Sequence, residues 1–200
     1  MNRIGSPSFS CATNCIAVTA GISYIGVMSR TASSASEQEA LELFQSSGAL
    51  QKGHFILRSG LHSEFYFQCA RAGEDMPKVT RLVELFVPML TRFEPQTILA
   101  PAMGGLVFGQ EVARQMNLRY LFAEKADDKL QLRRGFQLNP GERVLVIEDV
   151  ITKGGRVAEA LSIVKQHGGD PVGVGVLVDR SGGECAFEAP YQALVNLNFP

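Results

Sequence analysis

One segment of the chain combines residue types that bind sugars and phosphates. Residues 144 to 155 read Val-Leu-Val-Ile-Glu-Asp-Val-Ile-Thr-Lys-Gly-Gly. The apolar run predicts a buried strand, and two carboxylates, Glu148 and Asp149, follow it directly. A hydroxyl and two glycines then precede a periodic stretch that predicts a helix. This combination is far more specific than its ordinary alternative, a strand end that carries two solvated acids.

The order of these groups indicates the kind of ligand they suit. In an open α/β sheet, ligands bind beyond the carboxyl ends of the strands. The N–H groups of a helix N-terminus favour phosphate, and glycines let the backbone approach it closely. The carboxylates instead need hydroxyl or cationic partners, such as ribose hydroxyls or Mg²⁺. A sugar that carries both a diol and a phosphate satisfies the two halves of the segment.

Alternating strands and helices position this segment. From Thr97 onwards, strands are predicted at residues 98–100, 120–122, 143–148, 172–178 and 193–197, with helices at 106–116 and from Thr152 to about His167. Such repetition is typical of a doubly wound α/β fold with a central parallel sheet flanked by helices. The long polar connection at residues 125–141 is basic in its centre, which indicates a functional loop.

The part of the chain before Thr97 has a different pattern. A helix is predicted from Glu37 to Ser47, and two β-rich runs around Ser59-Gly60 predict a hairpin. A further helix is predicted from Lys78 to Phe93, although Pro88 should kink or shorten it.

The first 36 residues contain no acidic residue and are rich in serine and threonine. A signal peptide, an organellar transit peptide and a translation start at Met28 are all compatible with this composition. We favour the start at Met28, with residues 1–36 as a disordered or mis-assigned extension and residues 37–200 as the domain.

Composition limits the classes of function. The chain has 200 residues, 46% of them hydrophobic, and 19 basic against 20 acidic residues give a net charge of −1. This balance argues against a nucleic-acid binder. The apolar run from Cys15 to Met28 is too short to span a membrane. The four cysteines form no zinc pattern and are expected to be reduced thiols of a cytoplasmic protein.

Several motifs carry a resemblance to a known family. Residues 144–155 resemble the signature with which type I phosphoribosyltransferases bind phosphoribosyl pyrophosphate (PRPP). Four further motifs are similar to those of the orotate phosphoribosyltransferase family: Gly53–Gly60 with Tyr66-Phe67 in the hood, Pro101–Gly105 in the pyrophosphate loop, Glu124-Lys125 with Leu132–Phe136 in the catalytic loop, and Val178–Gly183 at the base-binding end. The similarity extends from about Ala40 to Pro200.

The resemblance implies a fold and an activity. The fold would be type I phosphoribosyltransferase-like, with a small N-terminal hood at about residues 37–75 and a mobile hairpin loop. The protein would transfer the phosphoribosyl group of PRPP to orotate. It would use Mg²⁺ with no ligand directly from the protein, and it would act as a homodimer whose loop reaches across the interface.

The resemblance also implies residue roles. The catalytic residues would be Lys125, Lys129 and Asp149. Orotate would contact Thr152, Arg180 and Arg58. PRPP would be bound by Lys125, Glu148, Asp149, Val150, Ile151, Thr152, Lys153, Gly154, Gly155 and Arg156.

The chain departs from the family pattern at two places. Many relatives have a lysine where this chain has Gly104, which suggests that backbone N–H groups bind the pyrophosphate. Residues 124–142 contain no histidine, so no proton donor is assigned there.

A purine phosphoribosyltransferase and a non-catalytic PRPP-sensing regulator remain alternatives. The hood segment argues against the first, and the presence of Lys125 argues against the second. Arg133-Arg134 could instead be a solvated pair on a hairpin.

Overall fold

A computed structural model describes residues 34–56, 62–127 and 129–197. Residues 1–33, which make up nearly all of the predicted extension, and Arg58 lie outside the described residues. The elements in chain order are α1 (Ala35–Ser46), β1 (Leu50–Ile56), β2 (His62–Phe67), α2 (Ala70–Gly73), α3 (Met76–Leu90), β3 (Thr97–Pro101), α4 (Gly105–Met116), β4 (Arg119–Ala126), β5 (Lys129–Gln131), β6 (Arg143–Ile151), α5 (Gly155–Gln166), β7 (Asp170–Asp179) and β8 (Tyr191–Asn196).

The central sheet has the strand order β5-β4-β3-β6-β7-β8. All neighbouring pairs are parallel except β4 with β5, which form an antiparallel hairpin at one edge. The chain moves outwards from β3 to β4 and then returns to place β6 on the other side of β3. The sheet order therefore reverses between β3 and β6, and such a switch point is where doubly wound folds bind ligands. The predicted doubly wound parallel sheet is confirmed.

Helices cover both faces of this sheet. Alternate strand residues contribute to two apolar clusters, because successive side chains of a strand point to opposite faces. Ile98, Leu145 and Ile147 pack with α1, α3 and α4, whereas Leu99 and Val146 pack with α5. Parallel strands buried on both faces explain the continuous apolar runs in the sequence.

Several element boundaries differ from the sequence prediction. Helix α1 begins at Ala35 because the Ser34 hydroxyl, not Ser36, accepts the Glu37 N–H at 3.1 Å. Pro88 lies inside the last turn of α3, and the α-helix continues only to Leu90. Strand β6 extends three residues beyond Glu148 because β7 pairs with it as far as Ile151.

The N-terminal hairpin is a separate two-stranded antiparallel sheet of β1 and β2. This confirms the hairpin, although its turn lies outside the described residues. Across the described ranges, no helix is both long enough and apolar enough to cross a membrane.

Candidate active site

A cavity of about 510 Å³ opens at the switch point between β3 and β6. Its wall combines the loop after β3, the end of β6, the turn into α5 and one residue of β4. The lining residues are Ala102, Met103, Gly104, Lys125, Glu148, Asp149, Val150, Ile151, Thr152, Lys153, Gly154, Gly155, Arg156 and Val157. All ten residues predicted from the sequence to bind PRPP therefore meet in one cavity.

The two carboxylates in this wall have different surroundings. Glu148 is buried, and Asp149 is partly exposed. Burial, followed by the hydrogen bond and the charge of Asp149, raises the pKa of Glu148 to about 8. Glu148 Oε1 accepts the Asp149 N–H at 3.1 Å, while Oε2 has no hydrogen-bond partner among the described residues. A buried acceptor without a partner at a cavity wall is suited to a ligand hydroxyl.

The loop after β3 is pressed against Asp149. A Cβ atom added to Gly104 would lie 2.5 Å from both carboxylate oxygens of Asp149, which is closer than side chains approach. The same loop is held to the start of α5, since Arg156 Nη1 donates to the carbonyl oxygen of Ala102 at 2.7 Å. Glycine at position 104 therefore has a geometric reason, namely that it leaves space for Asp149.

The turn into α5 has the geometry that anion sites commonly use. Gly154 has φ 71°, a left-handed conformation that favours glycine, and a Cβ there would lie 2.7 Å from the ring of Phe187. The helix begins at Gly155, three residues later than predicted, so its unpaired N–H groups and positive dipole end face the cavity. Phosphate is the ligand that such a terminus favours.

Arg180 and Thr152 follow two neighbouring strands. Thr152 comes directly after β6 and lines the cavity. Arg180 comes directly after β7, and its backbone N–H donates to the carbonyl oxygen of Ile151 at 2.9 Å. Partial burial lowers the pKa of the Arg180 guanidinium. Two of the three predicted orotate contacts are therefore adjacent at the end of the sheet, although Arg180 is not among the residues that line the main cavity.

The two predicted catalytic lysines lie on opposite faces of the β4–β5 hairpin. Lys125 pairs with Leu130, and Ala126 pairs with Lys129. Paired residues share a face and the next pair lies on the other one, so Lys125 and Lys129 point in opposite directions. Only Lys125 lines the cavity. Arg133 and Arg134 both form ion pairs with Glu124, at 3.7 and 2.9 Å, at the base of this hairpin.

A second cavity, of about 640 Å³, adjoins the first under the hood. It shares Met103, Gly104, Asp149 and Val150 with the first cavity. It also includes Cys69, whose pKa is raised by burial and then by the charges of Asp149 and Glu148. The sequence predicts no role for Cys69, because a lone cysteine between a predicted hairpin and helix carries no signal.

The comparisons with known proteins agree with this geometry. The family of the phosphoribosyl transferase domain matches residues 89–197, which is more than half of the chain. Orotate phosphoribosyltransferase of Desulforamulus reducens is 47% identical over 164 residues, covering 80% of this chain and 84% of that protein. The chain belongs to the orotate phosphoribosyltransferase family.

Solved structures show how widely the fold of this family is shared. Orotate phosphoribosyltransferase of Mycobacterium tuberculosis, in complex with inorganic phosphate, superposes with a TM-score of 0.67 at 22% identity, covering 81% of this chain and 96% of that one. Adenine phosphoribosyltransferase of Thermoanaerobacter pseudethanolicus gives a TM-score of 0.65 at 15% identity, covering 78% and 99%. The type I phosphoribosyltransferase fold is thus confirmed, and it does not by itself distinguish orotate from a purine base.

Proposed function

We propose that this protein transfers the phosphoribosyl group of PRPP to orotate, giving orotidine 5′-monophosphate and pyrophosphate in de novo pyrimidine biosynthesis. The observation that carries the proposal is the joint presence of two carboxylates and a helix N-terminus in one cavity of a chain that belongs to the orotate phosphoribosyltransferase family. The carboxylates suit the ribose and the helix N-terminus suits the 5′-phosphate, so the cavity matches the two ends of one substrate.

The ribose would be held by Glu148 and Asp149. The carboxyl oxygens of both residues can accept hydrogen bonds from hydroxyl groups, that of Glu148 also when it is protonated, and Glu148 Oε2 has no other partner among the described residues. The 5′-phosphate would lie over residues 150–156, where backbone N–H groups point outwards from the start of α5. In this placement, C1 of the ribose and the pyrophosphate would lie on the side of the cavity that Gly104 and Lys125 line.

Breaking the bond between C1 and pyrophosphate builds positive charge on the sugar and negative charge on the leaving group. Lys125 supplies a cation from the cavity wall, where it stabilises the departing pyrophosphate. The backbone of the loop at Gly104 supplies N–H groups where many relatives have a lysine. Lys129 lies on the outer face of the hairpin, so we propose that it serves a partner subunit's site in a homodimer.

The donor set fits a Mg²⁺ ion that is bound mainly by its substrate. The described ranges contain no group of three or more His, Cys, Asp and Glu side chains that could hold a metal, but Glu148 and Asp149 lie in the cavity wall. We propose that PRPP oxygens hold Mg²⁺ beside these carboxylates, without a direct protein ligand. When bound, the ion neutralises charge on the pyrophosphate.

Orotate would be recognised by Thr152 and Arg180. A guanidinium can bind the carboxylate of orotate as an ion pair with two parallel hydrogen bonds, and a purine base has no carboxylate for such a pair. Arg180 and Thr152 end neighbouring strands, so one planar base can contact both. Arg58 remains a predicted orotate contact that lies outside the described residues. Because orotate is already anionic, no strong general base is needed.

The test is a spectrophotometric assay of the full chain with PRPP and Mg²⁺. We expect orotate absorbance to fall only when both are present, and we expect no product when adenine replaces orotate. Turnover of adenine instead of orotate would contradict the assignment of the base. Analytical ultracentrifugation would test the proposed homodimer, and cell fractionation would test the proposed cytoplasmic location.

A further inference from the structure

Helix α5 contacts the β4–β5 hairpin through one hydrogen bond. Glu159 lies one turn after the start of α5, and its Oε1 accepts the backbone N–H of Leu130 at 2.6 Å. Because β5 is the edge strand of the sheet, an N–H on its outer side has no neighbouring strand to donate to. The Glu159 carboxylate therefore accepts a hydrogen bond from a backbone N–H that no strand of the sheet can pair with.

Apolar packing surrounds this hydrogen bond. The Leu130 side chain is buried in a small cluster with Ala123 of β4 and Ile163 of α5. Ile163 follows Glu159 by four residues, which places both on the same face of the helix. One face of α5 thus binds the hairpin through a hydrogen bond and an apolar contact together.

The register of the hairpin connects this attachment to the active site. Lys125 is the direct cross-strand partner of Leu130, so its side chain leaves the hairpin on the face that packs against α5. The start of α5 and Lys125 both line the main cavity. A single helix thereby lines the proposed phosphate site and contacts the hairpin that carries Lys125.

We infer that Glu159 is a positioning residue that attaches the β4–β5 hairpin to α5 and so holds Lys125 at the cavity. The inference rests on the proposed role of Lys125 in binding pyrophosphate. A hydrogen bond to a carboxylate is stronger than one between neutral groups, and Glu159 is partly buried. Without this hydrogen bond, β5 would be attached to α5 only by the apolar contact with Ile163, and the hairpin would open more often.

Limited trypsin digestion tests the attachment without any reference to activity. Trypsin cleaves after lysine and arginine in backbone that can open into its active site, so we expect cleavage after Lys125 and Lys129 to report opening of the hairpin. We expect Glu159→Ala to be cleaved in the hairpin about ten times faster than the wild-type chain, in line with the loss of one charge-assisted bond. Glu159→Gln keeps an acceptor and should be cleaved at a rate between the two. Ser162→Ala, on the exposed side of α5, is the matched control and should behave as wild type.

Kinetics test the positioning of Lys125. We expect Glu159→Ala to lower kcat/KM for PRPP about tenfold. The double variant Glu159→Ala/Lys125→Ala should be no worse than Lys125→Ala alone, because Glu159 acts through Lys125. A purely structural role would instead give additive losses, which would overturn the positioning role.

Cleavage of Glu159→Ala at the wild-type rate would overturn the attachment itself. Faster cleavage with unchanged kcat/KM would overturn its link to Lys125, as would a Lys125→Ala variant with full activity. If the wild-type chain showed no turnover of orotate, the proposed function would fail, while the digestion would still decide whether Glu159 holds the hairpin.

Discussion

Replacing Glu148 with glutamine should make the protein more stable at alkaline pH while weakening its activity. Glu148 is buried beside Asp149, and its pKa is raised from 4.5 to about 8. Between these values the folded protein keeps this proton, whereas the unfolded chain has lost it. The contribution of Glu148 to the free energy of unfolding therefore falls as the pH rises from 4.5 to 8, and it is constant outside this window. Glutamine stays neutral at every pH, so the Glu148→Gln variant does not lose this part of the free energy of unfolding.

The magnitude follows from the same values. A pKa raised from 4.5 to about 8 corresponds to at most about 5 kcal/mol at alkaline pH. Water in the adjoining cavity screens the ionised group and reduces this value. We therefore expect the free energy of unfolding of Glu148→Gln, relative to that of the wild type, to increase by about 1–3 kcal/mol when the pH is raised from about 5 to about 9. The loss of an acceptor for a ribose hydroxyl should at the same time lower kcat/KM for PRPP.

Urea unfolding at several pH values measures this difference, and activity is measured on the same samples. Glu42→Gln is the matched control, because Glu42 is exposed on α1 and is not among the residues that line the cavity. Its stability relative to the wild type should change little over the same pH range. A difference between Glu148→Gln and wild type that does not depend on pH would show that Glu148 is not held protonated by its surroundings.

Three further substitutions test individual parts of the site. Asp149→Asn should weaken PRPP binding and turnover together, because an amide accepts less well from the ribose hydroxyls and adds a misplaced donor; unchanged kinetics in a folded variant would exclude the ribose role. Arg180→Ala should lower kcat/KM for orotate about a hundredfold, the equivalent of roughly 2–4 kcal/mol, while PRPP affinity measured by calorimetry changes much less; an equal loss for both substrates would exclude Arg180 as the base anchor. Gly104→Ala should displace the Asp149 carboxylate and lower kcat/KM for PRPP about 10- to 100-fold with little change in Tm, and full activity would show that the loop moves aside without cost.

The sequence alone was sufficient where function depends on neighbouring residues. The carboxylates, the hydroxyl and the glycines of residues 144–155 are contiguous, and a strand followed by a helix places them at one end of a sheet by its own geometry. The alternation of strands and helices likewise predicted the parallel sheet, since each apolar run must be buried on both faces. For this reason the nine predicted PRPP-binding residues from Glu148 to Arg156 lie in one cavity, whereas Lys125 reaches it from β4 through the tertiary fold.

Tertiary structure decided the properties that depend on distant segments. The different directions of Lys125 and Lys129 follow from the register of the hairpin, and the sequence contains no sign of that register. The raised pKa of Glu148 results from its burial, and the need for glycine at position 104 results from contact with Asp149. Glu159 is an ordinary helical glutamate in the sequence, and the inferred positioning role depends on the edge strand that brings the Leu130 N–H beside it. Residue types and local order determine which chemistry is available, whereas burial and packing between distant segments determine which groups carry it out.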